Sequence, residues 1–240
     1  MTASRSGTRT DEPVLPVTRH WRPMAFGFKS TRRIHEPICE PLWGGERVFV
    51  EVAADGVRMR DVEGEVVAGF DPLHDAIADS SEAEELLLDG YVLPAPLGDL
   101  IDQSAMIDNV PAPSVGQMTR QFVVGNLGQA RHRDQLDAAQ SRVFNLDLDE
   151  PAAFVAVDLL WLDGVPLLDI PLGERKRLLD TVIRDQELVR RSAFVHPPVE
   201  AWYRQWRAFG FREIAVKDAN SRYVPGGESD LWTTATIPRR

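Results

Sequence analysis

The chain has 240 residues, 43 % of them hydrophobic and 27 % charged, so it can offset its ordering entropy by burying one large core or two small ones. Its formal net charge of −10 excludes a protein that grips duplex nucleic acid over its whole surface, because phosphate binding is driven by Lys and Arg displacing counterions. No apolar run approaches the roughly eighteen residues of a membrane span and the opening MTASRSGTRT lacks the apolar segment of a signal peptide, so a cytoplasmic protein without a membrane partner is expected.

The charge is unevenly spread. Residues 1–35 carry Arg5, Arg9, Arg19, Arg22, Lys29, Arg32 and Arg33 against Asp11 and Glu12, a local +5 within the total of −10 that leaves −15 for residues 36–240. This basic arm, expected to be partly disordered, reads either as a charged solubilising tail or as a contact for a phosphate backbone or an acidic partner. Arg19, Arg22, Lys29, Arg32 and Arg33 are then the candidate DNA-binding residues. Cys39 is the single cysteine, which excludes an internal disulfide framework and a cysteine-paired zinc site and leaves it as a small buried apolar residue. From Arg47 the sequence RVFVEV alternates, and Asp55-Gly56 turns it into VRMRDV; with a second turn at EGE, 63–65, residues 47–70 read as an antiparallel meander. A helix is predicted from Pro72 to about Ala78, after which the acidic SSEAEE at 80–85 opens an apolar strand, LLLDGYVL. Residues 94–117 are loop-like, broken by Pro94, Pro96, Pro111 and Pro113, and a polar helix is predicted over 128–142. FVAVDLLWL at 154–162 reads as a buried strand turning at Asp163-Gly164, and LGERKRLLDTVI as a helix whose Leu172, Leu178, Leu179, Val182 and Ile183 follow helical spacing. Lys176 is expected on the solvated face of that helix. A further helix at about 199–208, a strand REIAVK, a loop SRYVPGGES and a last strand DLWTTAT complete the chain. Meanders with a few helices between them predict an α+β fold of antiparallel sheets with flanking helices.

Five segments, spanning residues 36–240 with a leading RPMA at 22–25, resemble in order and spacing the adenylation domain of ATP-dependent DNA ligases, the bacterial repair-type enzymes in particular. FVAVDLLWLDGVPLLDIPLGERKRLLDTVI at 154–183 carries most of the likeness; EPLWGGERVFVEV at 40–52, LLLDGYV at 86–92 and IAVKDANSRYVPGGESDLW at 214–232 surround it. The resemblance implies a ligase-type nucleotidyltransferase fold with Asp89, Gly90, Asp158, Asp163, Gly164, Tyr223, Pro225, Gly226 and Trp232 as framework. It also implies a lysine, in an EPK-aromatic-DGxR segment, that attacks the α-phosphate of ATP while a divalent metal offsets phosphate charge. In this chain Leu42 stands at the lysine's place and Gly44 at the aspartate's, while Gly45 and Arg47 match. Tyr91 takes the place of a metal-binding glutamate after LDG, and Arg212 and Glu213 take the glutamate and glycine places of EGxVxK. Glu213 lies one step along a strand from the matching position, which turns its side chain to the opposite face. Thr234 and Thr236 supply hydroxyls where the family's last strand carries phosphate-binding lysines, and Val157 stands where many relatives place an aromatic ring against adenine.

The chain is therefore expected to be a non-catalytic relative of the ligases, with no catalytic residue, no metal site and no cofactor. Its role is read as DNA binding or scaffolding in DNA repair or end-joining, with DNA or a repair protein as partner. Arg47, Asp158 and Lys217 stay open between residual nucleotide contacts and ordinary strand-end charges. Two alternatives stay beside that reading. One is a ligase or nucleotidyltransferase with a rewired site that uses ATP and magnesium, for which Lys29, Lys176 and Lys217 are the available amines. The other is a protein-interaction subunit that touches no nucleic acid, which the −15 of the body favours. An oligonucleotide-binding-fold domain is not expected, since the sequence stops at Arg240 after the last core strand. Leu42 and Trp43 are expected to pack into the cleft that the lysine and aspartate would occupy, closing it to a purine.

Overall fold

The computed structural model describes residues 15–27, 34–94 and 151–239. The loop-like stretch from residue 95 on, the helix predicted at 128–142, and Lys29, Arg32 and Arg33 lie outside the described residues.

The predicted meander is present as β3 (Glu46–Ala53), β4 (Gly56–Arg60) and β5 (Val66–Val67). It continues on the other side of β3 through β6 (Leu86–Pro94) and β7 (Ala152–Leu162), giving the antiparallel order β5-β4-β3-β6-β7; β8 (Val165–Pro166) then follows β7 and the parallel β9 (Val189–Arg191) also pairs with it. Alternation places Val48, Val50, Val52, Leu86, Leu88, Phe154 and Ala156 on one face, where α1 (Asp71–Ser80) and α2 (Leu172–Val182) cover them with Leu73, Ile77, Leu179 and Val182. Between β7 and β8 the turn is Asp163-Gly164, with φ of +42° and +83°, the paired positive values that a two-residue hairpin loop requires. Asp163 holds the left-handed region as a short polar residue whose carboxylate accepts the backbone N–H groups of Glu84 and Glu85 at 2.9 Å.

A second sheet of three strands, β12 (Trp232–Thr236), β10 (Glu213–Asp218) and β2 (Pro37–Pro41), packs against the opposite face of the large one. Phe49, Leu87, Leu160 and Trp161 from the large sheet meet Ile38 and Trp232 from the small one. The outer face of the small sheet, Cys39, Ile214 and Val216, is covered by Trp202 and Trp206 of α3 (Glu200–Ala208). Helices, sheet, sheet and helix thus form successive layers of an α+β fold. Burial pushes the Cys39 thiol up to about 12, in keeping with its packing role. Among the described residues no helix is long and apolar enough to cross a membrane.

Part of the predicted basic arm belongs to this body. A short 3-10 helix (Pro16–Thr18) and β1 (Ala25–Phe26), which pairs with β11 (Glu228–Ser229), bring Leu15 and Met24 into the core between the sheets. β2 and β9 have no counterpart in the sequence reading, because two prolines bound the first and only three residues make the second. Gly90 fits because a Cβ there would come within 2.4 Å of the Phe154 ring and 2.5 Å of the Val155 carbonyl oxygen.

The segments are tied by one buried polar network. Arg47 on β3 donates to both oxygens of Asp89 on β6, at 3.0 and 2.6 Å, and to the Met24 carbonyl at 2.9 Å. The Tyr223 hydroxyl donates to Asp89 at 2.7 Å and accepts the Met24 N–H at 2.9 Å. Burial opposes the charge on Arg47, but Asp89 beside it holds the guanidinium well above its ordinary pKa. Asp89→Asn keeps the volume and removes the charge, leaving a buried guanidinium without its counter-ion. Urea unfolding of this variant at neutral pH should show a loss of about 3 to 5 kcal/mol, and a loss below about 1 kcal/mol would show that the network contributes little.

Candidate functional site

The small sheet gathers the segments that the sequence resemblance singled out. Pro41, the last residue of β2, pairs with Ile214 of β10, and the Leu42 N–H donates to the Glu213 carbonyl at 3.1 Å. Thr234 pairs with Ala215 and Thr236 with Glu213, while the Ile237 N–H donates to the Arg212 carbonyl at 2.8 Å. Register therefore puts Glu40, Glu213, Ala215, Lys217, Trp232, Thr234 and Thr236 on the face turned to the large sheet. Arg212 precedes β10 and is exposed; Glu213 is half-buried.

Trp43 leaves the end of β2 and enters an apolar cluster with Ala153, Val155 and Val157 of β7, against which Tyr91, Leu93 and Phe211 pack. The Phe211 ring meets Trp43 edge-on at 5.0 Å, the arrangement that ring quadrupoles favour. The indole N–H is satisfied by the buried Ser192 hydroxyl at 2.9 Å. Val157 reaches the cluster because the β6/β7 register skips it, Asp89 facing Asp158 and Gly90 facing Ala156. Desolvation pushes the Tyr91 phenol up to about 12, so it stays protonated at neutral pH. Trp43 is buried, whereas Leu42, expected to pack into the same cleft, does not share its burial. Leu42 is half-buried and lies outside the Trp43 cluster.

Beside the cluster lies a group of buried charges. Lys176 of α2 reaches Glu40 at 2.5 Å, and Lys217 of β10 takes the other carboxylate oxygen. The solvated position expected for Lys176 is thus corrected: it is 1 % exposed, because the helical stripe facing the sheets includes Arg175 and Lys176 as well as Leu172, Leu179 and Val182. Lys217 also lies 4.3 Å from the Trp232 ring centroid, a cation–π contact. Burial alone would raise the Glu40 pKa, but the two ammonium groups bring it below its usual range. Burial and the nearby Lys176 push the Lys217 ammonium down against the pull of Glu40.

Each residue named as a possible nucleotide contact has a partner within the protein. Arg47 is paired with Asp89, Asp158 accepts from Arg175 at 2.8 and 2.7 Å, and Lys217 is paired with Glu40. Of the candidate DNA-binding residues, Arg19 is exposed, whereas Arg22 is half-buried and donates to the carbonyls of Arg19 and Trp21. Its guanidinium lies against Gly64, in the acidic turn that holds Asp61, Glu63 and Glu65. Glu40, Arg175, Ser192 and Phe211 are parts of this region that the sequence reading did not single out. Alternation along ICE at 38–40 signals that Glu40 shares a face with Ile38; nothing local signals the other three.

Removing the Trp43 ring should leave a cavity and an unpaired Ser192 hydroxyl, so Trp43→Ala is expected to lose about 3 to 5 kcal/mol in urea unfolding, against under about 2 kcal/mol for Leu42→Ala. Equal losses would show that the tryptophan is not the anchor. Glu40 supplies a second expectation. Its folded pKa is depressed, so its contribution to stability is full above the unfolded value of 4.5 and is lost as pH falls through the folded one. Wild type should therefore weaken between about pH 7 and about pH 3.5, while Glu40→Gln, already less stable at neutral pH, should lose less over that interval. Parallel losses in urea midpoints would show that Glu40 does not carry the dependence.

No protein-family model matches the chain. The multifunctional non-homologous end joining DNA repair protein LigD of Mycobacterium tuberculosis is 28 % identical over 193 residues, which are 80 % of this chain and 20 % of that protein. The DNA ligase of Methanothrix thermoacetophila is 37 % identical over 78 residues, 31 % of this chain and 14 % of that enzyme. The crystal structure of the ligase domain of M. tuberculosis LigD superposes with a TM-score of 0.57 at 22 % identity, covering 89 % of this chain and 58 % of that domain. The chain thus spans about a fifth of the length of LigD and just over half of its ligase domain. Sequence and architecture agree: the chain is homologous to the ligase domain of LigD and has its α+β nucleotidyltransferase-type fold.

Proposed function

We propose that this chain keeps the ligase fold without adenylyl transfer and acts as a non-catalytic DNA-binding or scaffold protein in DNA repair or end-joining, the setting in which its LigD relatives are named. The observation that carries the proposal is the state of the lysines. The chain has three, Lys29, Lys176 and Lys217, and position 42 is leucine. An attacking amine must reach the α-phosphate deprotonated and unencumbered. Lys176 and Lys217 are instead buried and held by one carboxylate, Glu40, so freeing either would strand a buried charge.

The residues at the matched positions do not fit the cofactors of a ligase. Tyr91, protonated, and Arg212, cationic, are poor company for magnesium, which takes carboxylates and water. Trp43, Phe211 and Tyr91 fill with apolar surface the ground beside Leu42, which supports a cleft closed to purine. The Arg47–Asp89–Tyr223 network supports an intact fold.

Two measurements test this reading. Incubation with ATP and magnesium should give an intact mass unchanged from the apo-protein and no shift in melting temperature; an AMP adduct on any of the three lysines would overturn it. Leu42→Lys should remain unable to seal a nicked duplex, because Tyr91, Arg212, Thr234 and Thr236 are unchanged, and ligation by this variant would show that the metal site is intact.

A further inference from the structure

The segment that brings Phe211 onto Trp43 also turns basic side chains outward. Gly210, with φ of +91°, ends α3 and lets the chain reverse into β10. Arg204 and Arg207 are three residues apart on α3 and so share a face of the helix. Arg207 donates to the Pro238 carbonyl at 2.6 Å, clamping the chain after β12 onto the end of the helix. Arg212 is joined to the same tail by the bond from the Ile237 N–H, and Arg239 follows one residue after the clamp. Arg204, Arg212 and Arg239 are exposed, and none of the ion pairs among the described residues uses any of these four arginines. The acidic groups in this segment are the exposed Glu200, four residues before Arg204 on α3, and the half-buried Glu213, two carboxylates against four guanidinium groups.

The contrast with the predicted basic arm decides which surface offers charge. Of the arm's described arginines, Arg22 lies against a turn holding three carboxylates, and Arg19 is exposed with no Lys or Arg adjacent to it in the sequence. Within a chain of net charge −10, the arginines at the end of α3 and the tail after β12 form a local excess of positive charge that no ion pair among the described residues engages. Guanidinium groups suit phosphate oxygens, which they grip in a bidentate fork.

We propose that Arg204, Arg212 and Arg239, with Arg207 holding the tail in place, form a docking surface for the phosphate backbone of duplex DNA. The surface lies next to the filled Trp43 cluster. It rests on the DNA-binding reading given above and names where that binding occurs. Such contacts position the duplex and carry no sequence preference.

The test uses the full chain and a fluorescent blunt duplex titrated over a range of salt. Each phosphate contact contributes about 0.9 to the slope of log affinity against log salt, so Arg212→Glu combined with Arg239→Glu should lower the slope by about 2 and weaken binding on the order of tenfold or more. The control, Arg177→Glu combined with Arg184→Glu, alters exposed arginines of α2 and the segment after it. It should bind as wild type does. If wild type binds and the Arg212/Arg239 variant keeps the same slope, the docking surface is wrong while DNA binding stands. Wild type that fails to bind the duplex at low salt overturns both.

Discussion

A carboxylate buried between two lysines organises the centre of this molecule. Glu40 on β2, Lys176 on α2 and Lys217 on β10 come from three parts of the chain and are each at most 3 % exposed. Desolvating three charges is costly, and the arrangement is tolerable only because each charge meets an opposite one at hydrogen-bond distance. The small sheet and α2 are thereby fixed relative to each other. Lys217 adds the Trp232 face, and Trp232 in turn donates its indole N–H to Ser221 at 2.8 Å.

Two further buried pairs continue the pattern. Arg175–Asp158 locks α2 to the irregular part of β7, and Arg47–Asp89 locks β3 to β6 while drawing in Tyr223 and Met24. Both are fork-shaped contacts of guanidinium on carboxylate, which fix orientation as well as distance. In consequence the polar side chains nearest the inner face of the small sheet are already committed to one another. The site's chemistry follows from that commitment: cations are plentiful, yet they are held by protein carboxylates.

Apolar packing fills the neighbouring ground. Trp43 is anchored at both ends, its ring by Phe211 and Val155 and its N–H by Ser192. A tryptophan buried in this way contributes more than its area suggests, since the hydrogen bond prevents a buried donor from going unsatisfied. Packing and charge thus divide the space between the two sheets, with Tyr91 of β6 at the apolar side and Glu40 of β2 at the charged one.

Local patterns in the sequence determined much of this. The alternation of RVFVEV, the Asp163-Gly164 turn and the spacing of Leu172, Leu179 and Val182 are properties of a few neighbouring residues, and each appears as a strand, a hairpin and a helix at nearly the expected bounds. The identity of residues 42, 91, 212, 234 and 236 was likewise legible, because it needs only the order of segments. What the tertiary structure alone decided is where the long charged side chains go. Lys176 has the spacing of the apolar stripe, four residues after Leu172 and three before Leu179, yet an ammonium there is tolerable only because Glu40, 136 residues away, meets it. Phe211 and Ser192 have no local signal for the indole they enclose, and residues 15–27, although RPMA at 22–25 joined the resemblance, carried no periodic pattern showing that Leu15 and Met24 close the core between the sheets. Periodicity reports which face of an element is apolar, whereas the partner of a buried charge is set by contacts between elements remote in sequence.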